Sequence, residues 1–247
     1  MSDNPYAAPQ FPGDLPPGAG GPIGPAAPWE PTEVLGIAWA IFKQHWVVLF
    51  FAHLLSFIFQ MVPSFIGGMV EGAMEIAPQS VEHYAIQLVA NVASSIIQAF
   101  FSVGLIRIAL QAARGETPDF GKLFGGFDRF LPILAIAFIT GIPKTIGFLL
   151  LIVPGVILAC GWMFSEWLVV DRDTPAMQAI GDSWRLTDGH KMNLFVFGLL
   201  SILIFVVGCF ACYFGIAAAQ AIATVGAAII YLRLTGQQRG APPMFGT

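Results

Sequence analysis

The residues best placed to do chemistry are those that put charge inside long apolar runs. Glu166 lies in LIVPGVILACGWMFSEWLVVDRD, about one turn or more before the acidic exit at Asp171. Arg107 occupies a matching position in another apolar run, about two turns before Arg114. An ionisable side chain surrounded by hydrocarbon is expensive, and marks a substrate path or a relay by default. Glu166 and Arg107 therefore form a candidate intramembrane polar pair. The competing reading is structural: the two neutralise each other, or reach the interface from near the helix ends while their stems stay in apolar surroundings. Lys144, between Pro143 and Gly147, could meet a lipid phosphate or a substrate, or simply snorkel to the membrane surface.

Other reactive residue types give less. Cys209 and Cys212 form C-x-x-C, but within an apolar run without the further Cys or His that a four-ligand metal site needs. Two buried thiols or a disulfide near the membrane face are both open. His45, His53, His83 and His190 are scattered over different segments. There is no nucleophile elbow, phosphate loop, metalloprotease helix or carboxylate pair at catalytic spacing. No catalytic, cofactor or metal residue is expected.

The elements that must position these residues follow from composition. Apolar residues make up 56% of the chain and charged residues 11%, against about 25% charged in an ordinary soluble domain. A soluble fold could not cover its surface with so little charge, so an all-α polytopic membrane bundle is expected. The net charge of −4 and the lack of a basic tract give no support to nucleic-acid binding.

A helix needs about 20 apolar residues to cross the hydrocarbon. Windows 46–70 and 83–106 each supply one span, and 130–143 and 145–165, separated by Lys144, supply two with a turn near Lys144–Pro154. The stretch 192–232 has no charge and suits two spans turning near Cys209–Gly215, which makes six transmembrane helices. With the termini in the cytoplasm, ten of the 11 Lys and Arg residues fall on the inner side and only Lys144 falls outside. The expected location is a bacterial inner (cytoplasmic) membrane.

Between spans lies a recurring pattern. Glu30-Pro31-Thr32, Glu116-Thr117-Pro118 and Asp173-Thr174-Pro175 each carry helix-start signals, and each precedes an aromatic-bearing amphipathic segment and then a pair of spans. This suggests a threefold internal repeat with cytoplasmic interfacial helices. In the third helix Met177, Ile180 and Trp184 share one face. The interfacial motif comprises Asp171, Asp173, Pro175, Trp184, Arg185, Gly189, His190 and Lys191, while Pro154 and Gly155 open the preceding span as structural residues. The small residues Gly215, Ala217, Ala221, Gly226 and Ala227 favour close helix packing, within the bundle or in a homo-oligomer.

The stretch VPGVILACGWMFSEWLVVDRDTPAMQAIGDSWRLTDGHKMNLF, with GLIRIALQAARGE earlier, resembles a group of bacterial six-span membrane proteins of unknown function. That group is related to the membrane domain of some glycerophosphoryl diester phosphodiesterases. The resemblance covers roughly residues 32–236. It implies a six-span fold and a membrane location, and brings no catalytic residues with it.

Residues 1–31 contain nine prolines and five glycines and are expected to be a disordered cytoplasmic tail. The membrane domain is expected over 32–236 and a short cytoplasmic tail over 237–247. Expected partners are membrane lipids, a possible second copy of the chain, and a possible cytoplasmic partner of the prolyl tail. The function expected first is a non-enzymatic scaffold or accessory factor in envelope or lipid homeostasis. The alternatives are a transporter or channel for a small amphiphile or lipid, and an accessory membrane domain for a phosphodiesterase.

Overall fold

The computed structural model describes residues 29–210 and 212–237. It is an all-α bundle, with no strand among the described residues. The helices are α1 (Pro31–Ala73), α2 (Val81–Ala113), α3 (Phe130–Leu150), α4 (Ile152–Gly161), α5 (Ser165–Arg172), α6 (Ala176–Leu186), α7 (Lys191–Cys209) and α8 (Cys212–Leu234). Taking α4 and α5 as one interrupted crossing, six helices are long and apolar enough to span a membrane. The protein is a multi-pass membrane protein. Both described chain ends lie at one end of the bundle, called here the basic end because Arg107, Arg114, Arg129, Arg172 and Arg233 cluster there.

Each pair of spans has a lead-in at the basic end, though the three are unequal. The first is the start of α1, which kinks at His45 (φ −120°, ψ 27°) before crossing. The second is only a 3-10 turn at Phe120–Phe124, begun by Asp119, whose carboxylate accepts from Gly121 N–H at 2.9 Å. Its glycines, in FGKLFGGF, disfavour a full helix. The third is α6. The expected tail boundary also moves: Trp29 is buried, and Asn193 donates to its carbonyl at 3.3 Å, so the folded domain begins before residue 32.

The α3–α4 turn lies at Leu151, within the expected Lys144–Pro154, while Lys144 itself sits well inside α3. Gly147 and Gly155 make this hairpin tight. A Cβ on Gly155 would come within 2.6 Å of the Phe148 ring, and one on Gly147 within 3.1 Å of Gly155 Cα.

The centre of the bundle is α8, which packs on α1, α2 and α7. Its best apolar window is 67% buried, compared with 11% for α7, although the two come from the same charge-free run. The small-residue series is used up here. Ala217, Ala221 and Ala227 are buried, a Cβ on Gly226 would strike the Phe197 ring, and Gly215 backs against Gly208. These positions pack helices within one chain rather than offering a free oligomer face. The expected turn at Cys209–Gly215 is present between α7 and α8, and the Cys212 side chain lies outside the described residues.

Candidate functional site: a broken span and a mid-depth polar cluster

The fourth crossing is interrupted at Trp162–Phe164, between α4 and α5. Gly161 is a weak helix former, and three bulky residues follow it. Trp184 of α6 occupies the space a side chain at 161 would need, since a Cβ there would lie 2.2 Å from its ring. A break within a membrane leaves backbone groups that need partners in the protein. Ser183 supplies two: its Oγ accepts from Phe164 N–H at 3.1 Å and donates to Gly161 C=O at 2.9 Å. Thr187 Oγ1 lies 3.3 Å from the same carbonyl. Helix α6 is thus docked through Ala179, Ser183 and Leu186, all buried, while Met177 is exposed. The buried face differs from the expected Met177–Ile180–Trp184 face because its small and hydroxyl residues do not register as apolar.

Glu166 stands in the first turn of α5, immediately after the break. Its carboxyl group faces Ser102 of α2 and feels the charge of Lys144 of α3. Ser102 also donates to Ala99 C=O at 3.0 Å, and Lys144 Nζ donates to Thr140 Oγ1 at 3.3 Å. Counted at 1.5 Å per residue, Glu166 begins about 9 Å from the basic end of its crossing, whereas Ser102 stands about 16 Å along α2. The carboxylate therefore reaches toward mid-depth instead of snorkelling outward. Lys144 likewise turns back along α3 to Thr140, one turn nearer the basic end, and not toward the opposite surface. Among the described residues the two charges form no ion pair.

Arg107 is not part of this cluster, and the Glu166–Arg107 pairing is replaced by two separate arrangements. Arg107 donates to Gly125 C=O and to Asp128, each at 2.5 Å. Burial raises the Asp128 carboxyl, but the bond to Arg107 and its charge, with a smaller contribution from Arg129, outweigh it and leave the group below its ordinary range. Arg107 sits near the end of its helix, where the loop between α2 and α3 folds back over it.

The interfacial motif residues are spread through a polar layer at the same end. Asp171 pairs with Arg114 at 2.5 Å and accepts from Tyr231 Oη at 3.0 Å and from Gln237 at 2.8 Å. Asp173 ends α5 in the left-handed region (φ 59°) and pairs with Arg129. Pro175 precedes α6, Arg185 is exposed, and Gly189 takes φ 77°, which lets the chain reverse into α7. His190 packs near the Trp29 ring. Lys191 pairs with Asp188 at 3.0 Å and lies 4.4 Å from the centre of the Trp184 ring. That bond to Lys191 and the lysine charge lower the Asp188 carboxyl.

A further buried polar contact links α1 to α8. His53 is 3% exposed; its Nδ1 is 2.8 Å from Leu49 C=O and its Nε2 is 3.1 Å from Thr224 Oγ1. A carbonyl can only accept, so Nδ1 carries the proton in the neutral ring, while the single Thr224 hydroxyl proton is shared between Gln220 C=O, at 2.8 Å, and Nε2. This contact pins two spans together.

Sequence reasoning located Glu166 and Lys144 but missed Ser102, Thr140, Ser183 and Thr187. The available signal was Ser183 and Thr187 at i, i+4 on one helix, opposite a Gly-Trp-Met-Phe stretch in a span. No group of three or more His, Cys, Asp or Glu side chains suited to a metal occurs among the described residues. No protein-family model, curated protein or solved structure matches the chain.

Proposed function

We propose that this protein is a membrane transporter for a small amphiphile or lipid, whose polar group is met by Glu166 and Lys144 beside the break in span four. The carrying observation is that opposite charges from different spans share mid-depth without contacting each other. Two such groups cost more than a closed ion pair unless something polar bridges them at some stage. The unwound turn at Trp162–Phe164 supports the reading, because interrupted helices at depth are a recurring feature of transport sites. An open groove of about 360 Å³ between α2 and α3 is lined by Ser95, Gly141 and Thr145 among apolar residues, with none of the cluster's own side chains in its wall. We place both termini in the cytoplasm of a bacterial cell, on the basis of the Lys and Arg excess at one end.

The test is flux of fluorescent lipid and of small anionic solutes in liposomes, comparing the wild type with Glu166→Gln and Lys144→Met. Flux lost in both variants, with unchanged thermal midpoints, supports the transporter. No flux above empty liposomes rejects it. A scaffold or accessory role would then lead, favoured by the exposed Phe127 (84%) and Phe124 (49%) in the basic-end loop.

A further inference from the structure

The ends of α1 and α2 farthest from the basic end border an open groove, unconnected with Glu166. It has a volume of about 500 Å³ and is lined by Pro63, Gly67 and Val70 of α1 and by Ala85, Val89 and Ala93 of α2, among others. Its lining is almost wholly apolar, and its size falls within the range of small-molecule sites. From Ala85 to Ala93 it follows α2 for about 12 Å. Pro63 lies within continuous α1 at the deep end of the slot, and Gly67, Ala85 and Ala93 add only small groups to the lining, so a slot is left open where two larger faces would have closed.

The mouth of the slot is polar and acidic. Glu71 follows Val70 on α1, and Glu82 lies one turn above Ala85 and Ile86 on α2. Glu71 is paired with His83 at 3.0 Å and accepts from Gln87 Nε2 at 3.2 Å, which bridges the two helices across the mouth. Glu82 and Glu75 are exposed beside it. A carboxylate rim over an apolar slot complements an ammonium group attached to a hydrocarbon chain, and rejects an anionic head.

We infer that this slot holds one acyl chain of a phosphatidylethanolamine molecule from the adjacent leaflet, with its primary ammonium at Glu71 and Glu82. Pockets between transmembrane helices that read a lipid headgroup by charge provide the general precedent.

The test uses the full chain in phosphatidylglycerol nanodiscs containing trace lipid with a photoactivatable diazirine in the acyl chain. The probe carries either an ethanolamine or a glycerol head. The ethanolamine probe is expected to label residues 63–70 and 85–93 several-fold more than the glycerol probe. Glu71→Gln combined with Glu82→Gln should erase that preference while leaving the glycerol labelling unchanged. Ala85→Trp, at an exposed position, should reduce labelling by the ethanolamine probe without unfolding the protein, as checked by its thermal midpoint. Equal labelling by both probes, or a preference that survives the double Gln variant, overturns the proposal. The readout does not depend on flux, so it stands or falls separately from the transporter reading.

Discussion

At the basic end Arg233 grips Glu33 through both guanidinium nitrogens, at 2.7 and 3.2 Å, whereas at mid-depth Lys144 and Glu166 share a neighbourhood without touching. The basic-end charges close on partners from other elements: Arg107 on Asp128, Arg114 on Asp171, Arg129 on Asp173. These contacts tie the lead-in segments to the spans, and water is near enough to soften the cost of each charge. The mid-depth pair has no such relief. Its nearest polar neighbours are hydroxyls, Ser102 and Thr140, which already donate to carbonyls of their own helices. The contrast separates charges that hold the fold from charges that the fold holds.

Breaking the support of the mid-depth site should have the largest effect. Ser183→Ala removes the donor to Gly161 C=O and the acceptor for Phe164 N–H at a fully buried position. Phe164 N–H is orphaned while Gly161 C=O falls back on Thr187. An orphaned buried group costs about 1–3 kcal/mol, so a loss toward the top of that range, ~3 kcal/mol, is expected, read as a lower thermal midpoint in detergent. A midpoint equal to wild type would mean that α6 does not brace the break. Arg233→Gln breaks a basic-end pair. Removing one member of a buried ion pair costs roughly 3–5 kcal/mol. Because the Glu33 side chain is 45% exposed, about 2 kcal/mol is expected here, with flux per folded molecule unchanged.

The third substitution reverses that pattern. Glu166→Gln keeps the shape and removes the charge, so the thermal midpoint should not fall, because a neutral amide is easier to bury than a carboxylate. Flux should drop at least about tenfold, equivalent to ~1.4 kcal/mol. A variant that melts early yet transports normally would place Glu166 with the structural charges and erase the distinction.

The six crossings were legible because hydrocarbon thickness and charge-free length constrain each other tightly. The α7–α8 turn within a charge-free run followed from length alone. Three features were not legible. The break after Gly161 depends on Trp184, far along the chain, taking the Cβ space of Gly161, and no local pattern reports that. The central position of α8 depends on which helices surround it; its Ala and Gly residues are compatible with either an inner or an oligomeric face. Arg107 and Glu166 stand at similar distances from their helix ends, which suggested pairing, but the loop at Gly125–Asp128 folds over Arg107 and reaches it first. Span limits could be read from the sequence, whereas azimuth around the bundle and the inward reach of Lys144 and Glu166 could not.

The smallest expected effect is a pH dependence confined to the basic end. Asp128 is held below its ordinary range in the folded protein, so its contribution is present above the usual carboxylate pKa of about 3.9. That contribution is lost as pH falls through the lowered folded value. Its side chain is 52% exposed, so solvent screening keeps the contribution modest. Thermal midpoints of wild type and Asp128→Asn should differ by a constant amount from neutral pH down to about 4 and converge below it. Curves that stayed parallel into acid would show that Arg107 is anchored by the Gly125 carbonyl rather than by the carboxylate. Convergence well above neutral pH would place the titrating group elsewhere in the basic-end layer.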